Sequence, residues 1–276
     1  MKYCLFYLII LCTLVISCSK NESSLPSSKE KLVKTITEYA KTGYPNKEID
    51  SFAYDDQNRV SYFIASIYSG STLYSSSIYK LSYKSDGSVP TGYSLSYNPA
   101  LPSYAIDNYS GEHIILVNSQ NQPVLDSILL NTNSNGINRY FEYGNNIIIH
   151  KWGAYGSDSL FYTIQTDSVV MDGENVNQVI VGTYGMMGLD RLNYRWIWSY
   201  HYTYDSVSNP LYIPSAALVY YLARGFMVSR NCVSSYSFNS TDTAYSFKFR
   251  NNTDLQGVLQ NTVNQDTGDS TTYRFY

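Results

Sequence analysis

The feature that most constrains this chain is a short unit in which an aromatic strand runs into a polar turn and out again. Phe52-Ala-Tyr54-Asp-Asp-Gln-Asn-Arg-Val60 reads as strand, turn and strand, with apolar residues at i and i+2 and turn-forming residues where the chain must reverse. Leu81 to Val89, Ile115 to Val124, Phe141 to Ile147 and Phe247 to Leu255 follow the same grammar. Counted between Tyr54, Tyr83, Val117 and Tyr143, the spacings are 29, 34 and 26 residues. A loose period of that size suggests two strands per unit added to one growing sheet, whereas an unrelated set of hairpins would also produce such units. Composition agrees: 30 of 276 residues are tyrosine, a type that favours pleated, half-wet surfaces, and abundant Ser and Asn supply the turns. The fold class read from the chain is all-β, an antiparallel meandering sheet or partial barrel built from repeated hairpins.

One short helix interrupts this pattern near residues 214–224. Pro214 suits a first helical position, Ala216 to Ala223 are helix formers or apolar, and Gly225 can close the end. The expected placement is over a sheet edge or a barrel mouth. Lys31 to Tyr39 is ambiguous, because Leu32, Ile36 and Tyr39 fit one side of a helix while the Val, Ile and Thr content fits a strand equally.

The N-terminal segment addresses the chain. Lys2 gives a positive start, Tyr3 to Ile16 is an apolar run, and that run falls short of the roughly 20 residues a membrane span needs. The layout is that of a secretory signal over residues 1–17. Val15-Ile16-Ser17-Cys18 resembles the lipobox of bacterial lipoproteins, and the resemblance implies cleavage before Cys18 with lipid on its thiol. An ordinary cleaved signal with an incidental cysteine, or an uncut helix, are the competing readings. Ser19 after the cysteine, with no aspartate there, resembles lipoproteins sent to an outer membrane; Lys20 and Glu22 faintly resemble a surface-export signal. Residues 18–29 read as a lipidated, serine-rich tether and 30–276 as a single β-rich domain of the remaining chain.

The units quoted above, Phe52 to Val60 in particular, resemble the tyrosine-aspartate (YD/RHS-like) repeats. Behind a lipobox, the combination is similar to Bacteroidota lipoproteins of unknown function with a porin-like fold, as are Asn209-Pro210-Leu211-Tyr212 and the closing Tyr273-Arg-Phe-Tyr276. Leu81 to Val89 lacks the arginine after the turn, and Gly144 to Ile147 is shortened. The resemblance implies a meandering antiparallel sheet or partial barrel and no known activity.

Removing the leader removes Cys4 and Cys12 and leaves Cys232 as the one cysteine beside Cys18, so no internal disulfide is expected. Cys232 reads as a small buried hydrophobe rather than a nucleophile. With 19 basic and 22 acidic residues and no basic block, nucleic acid is not an expected partner. His113, His150 and His201 lie far apart with no metal-ligand spacing, no nucleophile elbow or phosphate loop occurs, and Asp55-Asp56 sits where a turn explains it. No metal, no cofactor and no catalytic residue is therefore expected. Glu112-His113, as neighbours in a strand, would point to opposite faces.

The candidate binding feature is Tyr194, Trp196, Trp198, Tyr200, Tyr202 and Tyr204, which alternate along one strand and share one face. Six rings in that register make a stripe roughly 35 Å long. It reads either as a platform for sugar rings or as the sheet's own core face. Asp-Ser/Thr-aliphatic triplets at Ser127, Ser159, Ser168, Ser206 and Thr243 resemble the O-glycosylation sequon of Bacteroidota. The expected protein is a non-enzymatic envelope or cell-surface lipoprotein, held to the membrane by its anchor and binding glycan or another envelope protein. A purely structural envelope protein, and a carbohydrate-active enzyme with scattered residues, are the alternatives. A transmembrane barrel is disfavoured, because aromatics run the length of a strand instead of forming two girdles.

Overall fold

A computed structural model describes residues 32–41, 46–97, 111–129, 137–155, 161–185, 194–224, 228–240 and 242–276. The first eight strands are β1 (Val33–Tyr39), β2 (Lys47–Tyr54), β3 (Val60–Ser69), β4 (Thr72–Ser82), β5 (Gly92–Tyr97), β6 (Gly111–Val117), β7 (Pro123–Leu129) and β8 (Ile137–Gly144). They continue as β9 (Ile147–Tyr155), β10 (Phe161–Asp172), β11 (Asn175–Gly185), β12 (Tyr194–Ser208), β13 (Asn231–Ser240), β14 (Ala244–Thr253), β15 (Leu259–Asn264) and β16 (Ser270–Phe275). Each strand pairs antiparallel with its sequence neighbours, and β16 pairs with β1 through Ile36↔Tyr273 and Tyr39↔Ser270, so the sheet closes into a barrel. Closure removes both sheet edges. Within the ambiguous Lys31 to Tyr39 stretch, Val33–Tyr39 is a strand. A bulge between Val33 and Thr35 shifts the alternation, so Val33 and Ile36, three apart, are both buried.

The polar turns have a common local cause. Asp55, Asn118 and Asp254 each accept, through one side-chain oxygen, the backbone N–H groups two and four residues on (2.9–3.0 Å). In each, the backbone N–H of the first residue donates to the carbonyl four residues later, and the fourth residue is left-handed: Asn58 (φ 60), Asn121 (φ 60) and Gly257 (φ 80). Asn and Gly are the types that tolerate that conformation. Asp55 is thus a turn former, and Arg59 Nε also donates to it at 2.7 Å. Tyrosines at the strand ends close the same rim. Tyr54, Tyr83, Tyr143 and Tyr276 donate their hydroxyls to the carbonyls of Val33, Val60, Pro123 and Phe52.

Helix α1 (Pro214–Arg224) matches the bounds read from the sequence; ring closure leaves no sheet edge for it to cover, and its first turn lies at the barrel mouth, beside the start of β3. Tyr220 Oη donates to Glu38 Oε1 of β1 (3.2 Å), while Tyr221 sits edge-on to His150 of β9 (5.3 Å between centroids). Those strands lie eight places apart in a ring of sixteen, so the helix crosses the bore. Ala216 and Val219 have no exposed surface and pack with Phe52, Phe63, Tyr79 and Leu95 of the inner wall. Ser215 Oγ accepts the Val60 N–H, pinning the first turn to β3. The physical reason is width: a ring of this size leaves a channel that wall side chains alone do not fill.

The β2–β6 wall carries a run of rings on its inner face: Phe52–Phe63 at 4.9 Å, Phe63–Tyr79 at 5.5 Å, Tyr79–Tyr93 at 5.7 Å and Tyr93–His113 at 4.1 Å. Such cross-strand pairs stabilise the sheet as well as the helix docking. The outer face of the β13–β16 arc is polar: Ser235, Ser237 and Asn239, then Ser246, Lys248 and Arg250, then Thr272 and Arg274. Among the described residues no helix is long and apolar enough to cross a membrane, which says nothing about a barrel.

A cavity in the half of the bore left open by the helix

Successive side chains of β12 alternate, and the register with β11 and β13 fixes which set faces inward. Trp198, Tyr200, Tyr202 and Tyr204 line a cavity of ≈ 590 Å³ inside the barrel. Ile197, His201 and Thr203 are exposed on the outside. Tyr194 and Trp196 continue the strand, but their side chains lie outside the described residues, so the structure brings together four of the six rings. The inward register carries across the sheet: Tyr200 faces Phe238, Tyr202 faces Tyr236, and Tyr236 faces Phe247. The rings touch, with Tyr200–Tyr202 at 6.4 Å, Tyr200–Phe238 at 5.2 Å and Tyr236–Phe249 at 5.7 Å. Tyr220 and Tyr221 of α1 and Leu211 before it form the opposing wall. The helix therefore fills the β1–β9 half of the bore and leaves the β10–β16 half open. That volume lies within the range of small-molecule sites.

Burial holds the cavity phenols neutral. It pushes Tyr202 well above the ordinary tyrosine value, with Tyr204, Tyr200 and Tyr236 adding to the effect, and it raises Tyr200, Tyr204, Tyr236 and Tyr273 as well. These hydroxyls are accordingly donors at any ordinary pH. Tyr204 already donates to the Val176 carbonyl (2.5 Å) and lies 2.8 Å from Ser229 Oγ. Cys232 also lines the cavity; burial, then the charge of Asp205, pushes its thiol up to about 12, so it is inert, as the sequence suggests.

Two buried His–Asp pairs face the bore. His113 Nδ1 is 2.9 Å from Asp126 Oδ1, and Asp126 Oδ2 accepts from Tyr93 Oη (2.9 Å) and Arg139 Nη1 (3.3 Å). That group belongs to the filled half and is saturated by its own partners. His150 Nδ1 is 3.0 Å from Asp167 Oδ2, and Gln165 Nε2 donates to Asp167 Oδ1 at 2.7 Å. Asp167 and Gln165 line the cavity. His150 Nε2 is buried with no hydrogen-bond partner, so no described hydroxyl completes a nucleophile–His–Asp triad there. Among the described residues no three His, Cys, Asp or Glu side chains gather to hold a metal ion.

The remaining sequence candidates scatter. Cys18 and Ser159 lie outside the described residues. Ser127 and Ser168 are half-buried, whereas Ser206 and Thr243 are exposed. The aspartates preceding Ser127 and Ser168 are Asp126 and Asp167, both committed to the histidines of the inner wall. Sequence reasoning saw Asp167 only as part of a triplet and missed it as a cavity residue, along with Gln165, Tyr221 and Tyr236. The available signal was the alternation of Gln165, Asp167 and Val169. Glu112 and His113 do point to opposite faces, the first exposed and the second buried.

No family model matches the chain, and no curated protein matches it either. Among solved structures, a porin-like protein from Bacteroides vulgatus superposes with a TM-score of 0.53 at 9% identity, covering 89% of this chain and 99% of that one. A porin-like protein from Bacteroides uniformis gives 0.50 at 8% identity, covering 88% and 96%. At such identities the likeness is one of fold: an antiparallel porin-like barrel.

Proposed function

We propose that this chain is a non-catalytic envelope lipoprotein whose barrel is a vessel for a glycan ligand and not a conduit. The observation that carries the reading is the wall of Trp198, Tyr200, Tyr202 and Tyr236 around an open cavity inside the barrel. Flat rings stack on sugar faces, and neutral phenols and amides such as Asn209 and Asn251 can exchange hydrogen bonds with sugar hydroxyls. The helix across the bore speaks against free passage. The polar outer arc speaks against a lipid-embedded wall, since Lys248 and Arg250 at a bilayer midplane would each cost about 2–4 kcal/mol. Tethering through lipid on Cys18 would hold such a barrel at a membrane surface without inserting it.

The test is titration of the purified protein with a panel of oligosaccharides, followed by tryptophan fluorescence and calorimetry. Saturable binding without product release, weakened tenfold or more by Tyr202→Ala, is the expected result. Absence of binding across the panel, or turnover of a bound sugar, defeats the reading. Lipidation is tested separately: Cys18→Ala should abolish the acyl mass increment and release the protein from membranes. Exposed Ser206 and Thr243 are the acceptors to inspect for O-linked glycan, and an intact mass equal to that of the polypeptide removes that part of the proposal.

A further inference from the structure

The charge lining the cavity is of one sign. Asp167 is the only charged side chain among the described residues lining it, and no Lys or Arg joins it. A second cavity of ≈ 410 Å³ shares Tyr236, Phe249 and Thr262 with the first and adds Glu38 and Glu48. Glu38 and Glu48 are direct cross-strand partners on the inner face of β1 and β2, and Tyr220 Oη donates to Glu38. Lys47, the one lysine among the described residues lining that cavity, directs its ammonium toward the rings of Tyr39 and Tyr68, 5.9 and 5.2 Å away. The faces of Tyr200, Tyr202, Tyr236 and Phe249 add the negative side of the aromatic quadrupole. Asp167 acts on the cavity rings: after burial it is the largest cause raising Tyr221, where the Arg139 guanidinium opposes it, and it also contributes at Tyr200.

Resting on the glycan reading above, we infer that this cavity selects sugars bearing a free amine over neutral or acidic ones, with the Asp167 carboxylate receiving the ammonium between the Tyr200 and Tyr221 rings. Gln165 and His150 hold that carboxylate in place through their hydrogen bonds to it. An ammonium there gains a charge-assisted hydrogen bond and ring-face attraction that an acetamido or hydroxyl group lacks. A carboxylated sugar would meet Asp167 and the Glu38–Glu48 pair as like charges.

The test compares two probes of equal length with the full chain: a β-1,4-linked glucosamine oligosaccharide and its fully N-acetylated counterpart. Calorimetry should show the free-amine oligomer bound roughly tenfold or more tightly. Asp167→Asn, which keeps the side-chain shape and one acceptor for Gln165, should reduce that preference to about twofold or less. Equal affinity for the two oligomers, or a preference for the acetylated one, overturns the inference while leaving the glycan reading intact. If neither oligomer binds, the inference falls, and the neutral sugars of the wider panel then decide the glycan reading independently. Should Asp167→Asn fail to fold, the comparison on the unaltered protein still decides. Glu48→Gln is a second variant expected to lower the preference to a smaller degree, and an undiminished preference in both variants refutes the assigned role of these carboxylates.

Discussion

Val219→Ala tests the placement of the helix inside the bore. Val219 has no exposed surface and belongs to the cluster that includes Phe63, Tyr79 and Leu222. The substitution removes two carbon groups, worth about 1.6 kcal/mol at about 0.8 kcal/mol each. The void that remains adds a further contribution, because rigid barrel walls cannot collapse onto it, which brings the expected loss to about 2–3 kcal/mol. For a domain of this size, that is a fall in Tm of roughly 4–12 °C. Urea titration followed by tryptophan fluorescence measures it directly. Ile197→Ala is the control, since Ile197 is 41% exposed on the outer face of β12 and should cost under about 1 kcal/mol. If the two variants lose the same stability, Val219 is not enclosed, and the helix does not occupy the lumen.

Three other outcomes follow from the geometry. Asp126→Asn deprives the luminal Arg139 of its anion and disturbs the bonds from Tyr93 and His113; a loss of about 3 kcal/mol is expected in thermal or urea unfolding, and a variant as stable as the parent contradicts the network. Asn58 is left-handed at φ 60, so Asn58→Ala should cost about 1–2 kcal/mol while Asn58→Gly costs little, and indistinguishable melting curves for the two would refute the turn geometry. Alkali should unfold the barrel. The Cys232 thiol rises from 9.0 to about 12, and the Tyr143 phenol from 10.0 to about 12, both through burial. The folded state therefore holds protons that the unfolded chain gives up, so stability is flat below about pH 9 and declines as pH rises from 9 to 12. A Tm unchanged between pH 8 and pH 11.5 would argue against that burial.

Local grammar was legible in the sequence and global closure was not. The turns at Asp55, Asn118 and Asp254 are set by residues within five positions of one another, so their side-chain acceptors and left-handed positions can be read directly. The helix bounds at Pro214 and Arg224 are likewise local. Which side of the sheet the helix occupies depends on the curvature of sixteen strands, a property no window of sequence contains. The same holds for the stripe on β12: alternation put its rings on one face, but only ring closure makes that face an interior. Lys31 to Tyr39 stayed open between helix and strand because pairing with β2 and β16, which makes Val33–Tyr39 a strand, is not visible in a local window. Asp167 was hidden by its triplet, since alternation in any strand readily generates an aspartate facing in beside a serine facing out.

The seam between β1 and β16 has a consequence for how the chain reaches its native state. Tyr276 bonds to the Phe52 carbonyl across 224 residues, and the last strand is the one that completes the ring. Until β16 arrives, every partially folded form carries two bare strand edges open to pairing with other chains. Contacts so distant in sequence form late and slowly. Loss of β16 alone should therefore leave a sticky, unsealed sheet instead of a slightly shorter barrel, and escort during folding would matter most in the interval before that final strand docks.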